Sequence, residues 1–178
     1  MIYLVRHGEA AASWGEHPDP GLSELGAAQA QTVAQDLLSG GADKIVCSPM
    51  QRCRETAQPF CDLTGRTAEI VPEVSEIVTP PNIGDRVVWL RELMAGQWPA
   101  DGSMDHWRKD MLQRVLQLPD NTVVFSHFVA INTLVGQLTN TNDVLVFRPG
   151  YCSVTVLEKS GDTLSVKELG SEAATRVL

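Results

Sequence analysis

Apolar and polar positions along this chain follow two rhythms. Short apolar runs at Ile2-Tyr3-Leu4-Val5, Lys44-Ile45-Val46-Cys47, Ala68 to Val71 and Thr122-Val123-Val124-Phe125-Ser126 have the length and composition of buried strands. Helical patterns fall between them. Leu22 to Leu38 places Leu25, Ala28 and Leu37 at helical spacing, with Ser23 as cap and Gly40-Gly41 as stop. Ser48-Pro49-Met50-Gln51 reads as a helix start, with Ser at the N-cap, Pro at N1 and Gln at N3 completing a capping box. That helix runs to about Asp62, and Val129 to Leu138 is a further apolar one.

Ser153 to Leu157 and Thr163 to Glu168 alternate around a Gly-Asp turn and predict a closing hairpin. Residues 170–178 read as a loose or short helical tail. One stretch is irregular. Between Glu76 and His127, with Pro80-Pro81, Trp89, Trp98 and Trp107, the pattern predicts two helices near Asp85–Met94 and Met104–Leu118. Strands alternating with helices predict a three-layer α/β/α fold with a mostly parallel sheet. Residues 1–178 form a single domain in this reading, with a small helical lid inserted at about 77–121.

Composition narrows the function. The 178 residues, 43% hydrophobic and 20% charged, suit one soluble domain with a substantial core. A net charge of −8 without a Lys/Arg cluster argues against nucleic acid and anionic membrane as partners. A strand beginning at residue 2 leaves no room for a charged leader, and no apolar stretch reaches membrane-spanning length. Cys47, Cys53, Cys61 and Cys152 have no metal-type spacing and fit small apolar side chains in a reducing cytoplasm. The oligomeric state is not encoded in any of these features.

Chemistry-bearing residues gather after the strands. Arg6-His7-Gly8 follows the first, Ser48 through Arg52 the second, and His127 the fourth. Open α/β sheets bring such strand ends side by side. Arg offers a rigid fork matching phosphate oxygens, His can attack phosphorus, and Gly8 lets the backbone turn sharply. Arg52 falls in the first turn of its helix, where free N–H groups favour an anion. Two arginines, two histidines and a helix start thus predict a cationic pocket on an acidic protein.

Taken in order, Leu4-Val5-Arg6-His7-Gly8-Glu9, Leu22-Ser23-Glu24-Leu25-Gly26 with Gln29-Ala30, Ser48-Pro49-Met50-Gln51-Arg52 with Thr56-Ala57, and Phe125-Ser126-His127 resemble the histidine phosphatase superfamily, also called phosphoglycerate mutase-like. The resemblance implies a covalent phosphohistidine on His7, with Arg6, Arg52 and His127 holding phosphoryl oxygens, and neither metal nor cofactor. It implies a Glu ahead of the insertion as proton donor; Glu76, in Val74-Ser75-Glu76-Ile77, fits better than Glu73. Gly8, Ser13, Ser23 and Phe128 are its candidate substrate-binding positions. Two of these depart from the family pattern: Ser13 stands where many members have Asn, and Phe128 where Gly is common.

His17 in a polar loop, His106 on a lid helix and Arg54 on another side of its helix are expected at the surface, and the tryptophans are expected to anchor the lid. The reading is a metal-independent phosphomonoesterase acting on a phosphorylated small molecule. A phosphoprotein or phosphohistidine phosphatase, a mutase-like phosphotransferase and a non-catalytic phosphate-binding module stand as alternatives. Only 50 residues separate Glu76 from His127, which favours hydrolysis over the larger mutase design.

Overall fold

In the computed structural model, which describes residues 1–12 and 17–174, one mixed sheet carries the whole molecule. Its strands are β1 (Ile2–Arg6), β2 (Lys44–Cys47), β3 (Glu69–Ile70), β4 (Thr122–Ser126), β5 (Val154–Ser160) and β6 (Thr163–Glu168). They lie in the order β3-β2-β4-β1-β5-β6. The first four run parallel, and the closing hairpin β5–β6 adds antiparallel to β1. Because β4 inserts between β1 and β2, strand ends far apart in sequence become neighbours.

Period-two alternation divides the core. Ile2, Leu4, Val46 and Val124 face one layer, while Val5, Ile45, Cys47, Val123 and Phe125 face the other. The second face packs on α1 (Glu24–Leu38) and α2 (Gln51–Thr64) through Val33, Leu37, Ala57 and Phe60. The first packs on α4 (Asp105–Leu116) and α5 (Phe128–Leu138) through Met111, Val115, Ile131 and Leu134. Each such side chain contributes roughly 1.5–3 kcal/mol relative to exposure.

Three local expectations are corrected. The buried face of α1 is Gly26, Ala30, Val33, Ala34 and Leu37, leaving Leu25 56% exposed. The rotation follows from Gly26, where a Cβ would drive into the Glu9 carbonyl, so only glycine lets the helix touch the β1 loop. The helix α2 begins at Gln51 with Met50 at its N-cap and no side-chain cap, so the Ser48 capping box does not form. Finally, α4 belongs to the central core and not to a lid. The cover is α3 (Arg86–Met94) with its flanking loops, where Ile77, Leu90, Leu93 and Trp98 pack with Phe128, Val129 and Val144.

The described part of the tail, through residue 174, is not helical; Glu172 bridges to Pro149. Among the described residues no helix is long and apolar enough to cross a membrane.

Candidate active site

Register alone brings the two histidines together. Arg6 pairs with Ser126 across β1 and β4, so His7 and His127 leave the sheet side by side, their ring centroids 5.3 Å apart. His7 donates its backbone N–H to Ser126 (3.0 Å), and the Ser48 backbone N–H donates to Phe125 (3.0 Å), anchoring all three strand ends to one another.

The state of His7 follows from its partners. Its Nδ1 lies 2.7 Å from the Gly8 carbonyl, which can only accept, so the Nδ1 proton is the donor there. The Arg52 Nε–H, which can only donate, points at His7 Nε2 from 3.2 Å. Both contacts require the same tautomer, with an unprotonated Nε2. Burial, and then the charges of Arg52 and Arg6, hold this imidazole well below its ordinary range. His7 is therefore neutral with its lone pair beside an arginine. Gly8 donates its N–H to Thr56 Oγ1 (3.0 Å), whose hydroxyl donates to the Arg52 carbonyl (2.6 Å), so the His-Gly turn is braced against α2.

Arg52 is buried, and among the described residues its Nη1 makes no hydrogen bond. The nearest carboxylate is Asp19, at 3.8 Å, which also accepts the Gln51 backbone N–H (2.9 Å) at the start of α2. An orphaned guanidinium donor in a buried cleft is a site prepared for an anion.

His127 is fully buried, with Nε2 2.8 Å from Ser48 Oγ and 3.4 Å from Cys53 Sγ. That contact explains the missing capping box: the Ser48 hydroxyl also accepts the Met50 N–H (3.3 Å) and has turned toward the histidine instead of α2. Burial, with Arg52, His7 and Arg6, holds the His127 imidazole well below its usual range.

Glu76 lies across the start of α5. Its Oε2 accepts from the Val129 N–H (3.1 Å), and Oε1 accepts from Ala130 (3.2 Å) and Ile77 (3.0 Å). These donors and Arg52 favour the charged form, yet burial outweighs them and raises the carboxyl above its ordinary range. Glu73 sits exposed on the 3-10 turn Pro72–Val74.

The structure thus brings together Arg6, His7, Arg52, Glu76 and His127. Ser23 donates to Glu9 (2.8 Å) and caps α1 at Gly26 (3.0 Å). Phe128 is buried among the cover residues with Arg6 Cζ 4.9 Å from its ring. Ser13 lies outside the described residues. His17 and Arg54 are exposed, and His106 is exposed and paired with Asp110 (3.0 Å). Trp98 is buried against Trp107, with centroids 6.0 Å apart, as lid anchors should be. Sequence reasoning missed Ser48 as a partner of His127, and it missed Tyr151, whose ring centroid lies 6.3 Å from that of His7. The signal for Tyr151 was positional: it precedes a strand that pairs antiparallel with β1.

The histidine phosphatase superfamily (branch 1) model matches residues 2–81. A Schizosaccharomyces pombe protein named as a probable phosphatase is 30% identical, over 69% of this chain and 60% of its own length. A protein from Yersinia pestis named as a probable phosphoglycerate mutase is 28% identical, covering 92% of this chain and 93% of that one. Among solved structures, phosphoserine phosphatase from Entamoeba histolytica superposes with a TM-score of 0.76 at 23% identity, covering 99% and 98% of the two chains. Mycobacterial glucosyl-3-phosphoglycerate phosphatase gives 0.77 at 21%, covering 96% and 98%. These structural likenesses show the same α/β fold. Residues 2–81 thus match the histidine phosphatase superfamily, and the chain as a whole shares the α/β fold of these solved phosphatases.

Proposed function

We propose that this enzyme is a metal-independent phosphomonoesterase that hydrolyses a phosphorylated small molecule through a phosphohistidine on His7. The observation that carries the reading is the doubly specified tautomer of His7, which leaves Nε2 unprotonated beside Arg52, whose Nη1 makes no hydrogen bond among the described residues. Phosphoryl transfer spreads charge over equatorial oxygens, so fixed cationic donors are the main catalytic resource. Arg6 and Arg52 fill that role here, with the neutral His127 beside them.

In the first step the Nε2–P bond forms and the ester P–O bond breaks, while Glu76 gives its proton to the departing alkoxide. In the second, water attacks phosphorus, Glu76 takes its proton, and His7 is released with orthophosphate. The raised Glu76 carboxyl suits the first of these tasks. Among the described residues no group of three His, Cys, Asp or Glu side chains is placed to hold a metal ion.

The solved relatives act on phosphoserine and glucosyl-3-phosphoglycerate by their names. That supports a small phosphorylated metabolite as the substrate class. The net charge of −8 supports neither nucleic acid nor membrane as partner, and four free cysteines fit a cytoplasmic enzyme. Hydrolysis against a panel of phosphorylated metabolites, run in EDTA, tests the reading. Turnover should persist in the chelator and be inhibited by vanadate; activity that vanishes in EDTA and returns with Mg²⁺, Mn²⁺ or Zn²⁺ would contradict it.

A further inference from the structure

Arg6 is held differently from Arg52. Its side chain is 1% exposed, and Nη1 donates to the Pro149 carbonyl at 2.8 Å. Its Cζ lies 4.1 Å from the centroid of the Tyr151 ring and 4.9 Å from that of Phe128. Two aromatic rings this close to the guanidinium carbon restrict how the group can turn.

The two rings come from separately anchored elements. Phe128 opens α5 and packs with the cover residues Ile77, Leu90 and Trp98. Tyr151 sits in the turn before β5, closed by the Ser153 N–H donating to Gly150 (3.2 Å). That turn is stitched to Arg6 itself: the Arg6 N–H donates to Ser153 (3.2 Å) and the Cys152 N–H to the Arg6 carbonyl (3.1 Å). Cys152 adopts φ of 54°, a left-handed conformation that non-glycine residues hold only when their surroundings impose it. The backbone around Tyr151 is therefore tightly determined. The residue directly after His127 supplies one of the two rings.

We propose that Phe128 and Tyr151 are positioning residues that hold the Arg6 guanidinium, restricting its orientation and thereby setting the affinity of the pocket for a phosphoryl group. The proposal rests on the assignment of Arg6 to phosphoryl oxygens. Neither ring need touch substrate, and through Phe128 the seating of the cover becomes part of the phosphate site.

A double-mutant cycle read by vanadate binding in calorimetry tests both layers separately. Arg6→Ala should weaken vanadate about 10–100-fold, the scale of a lost charge-assisted contact. Tyr151→Leu, which keeps apolar bulk but removes the ring, should weaken it about 3–10-fold, and Tyr151→Phe should restore most of the affinity. In the Arg6→Ala background, Tyr151→Leu should have no further effect. An equal loss with and without Arg6, or no loss in Tyr151→Leu, overturns the positioning role. If Arg6→Ala binds vanadate like the parent, the phosphate assignment itself fails. Phe128→Leu, checked for folding by its Tm, should repeat the Tyr151 pattern; should it not fold, the half-buried Tyr151 decides alone.

Discussion

At the ends of β1, β2 and β4 the functional side chains are held by hydrogen bonds with one permissible geometry. His7 is fixed through Gly8 and Arg52, His127 through Ser48, and Glu76 through three backbone N–H groups. The segment between Glu76 and α4 is assembled by other means. Trp98 stacks obliquely on Trp107, Arg108 lies over the Trp98 ring at 4.8 Å, and Asp85 caps α3, while Val78 stands 74% exposed. Directional bonds specify atoms to tenths of an ångström, as phosphoryl transfer requires. Apolar packing specifies volume and tolerates change, as a substrate entrance must. In the proposed mechanism the floor carries the reaction and the cover sets what enters.

The sharpest way to break this division is at Glu76, where floor and cover meet. Glu76→Gln keeps the size but has no carboxyl proton to give. With a sugar phosphate, turnover should fall on the order of 10²–10⁴-fold. With p-nitrophenyl phosphate, whose phenolate leaves unaided, the fall should be much smaller. Glu73→Gln should show no such contrast. A role confined to capping α5 would depress both substrates equally, so the ratio decides.

The next largest effect lies in the cover. Trp98→Ala should cost about 3–5 kcal/mol of stability, as large-to-small core changes do. It should raise KM for bulky substrates while changing kcat for p-nitrophenyl phosphate only a few-fold. A collapse of kcat with intact folding would show that the cover shares in the chemistry.

Ser48→Ala probes the floor alone. Losing the hydroxyl beside His127 should lower kcat about 5–10-fold, the scale of one hydrogen bond, with a small change in Tm.

The smallest effect is on stability against pH. Burial holds His7 and His127 well below the pKa of about 6.5 they have in the unfolded chain. Below that pH the unfolded state binds more protons than the folded one, so stability is full above about 6.5 and falls as pH drops beneath it. The raised Glu76 carboxyl acts in the opposite sense, losing stability as pH rises. Denaturant unfolding of His127→Asn should therefore show a shallower decline between pH 6.5 and 5 than the parent. Equal slopes would mean that His127 is not buried neutral.

The same division governs what the residues reveal in one dimension. β1, β2 and β4 are legible because buried strands leave continuous apolar runs, the hairpin because its strands alternate around a Gly-Asp turn, and Arg6, His7, Arg52 and His127 because each follows such a run or the first turn after it. Ser48 misleads because its local signal, Ser-Pro-x-Gln, promises a capped helix, while its hydroxyl has a tertiary partner in His127. The face of α1 misleads because Leu25 outweighs Gly26 in any hydrophobic pattern, although the close approach to Glu9 makes the glycine decisive. Tyr151 carries no periodic signal at all; its place beside Arg6 is set by an antiparallel pairing between opposite ends of the chain.

The most direct test of the mechanism is to trap the intermediate. The enzyme is mixed with a ³²P-labelled phosphomonoester and quenched in alkali within its first turnovers. Label bound to protein should survive alkali, be lost in acid, map to the peptide containing His7, and be absent from His7→Ala. A His7→Ala enzyme with full activity, or label that maps to another residue, would contradict a phosphohistidine at His7.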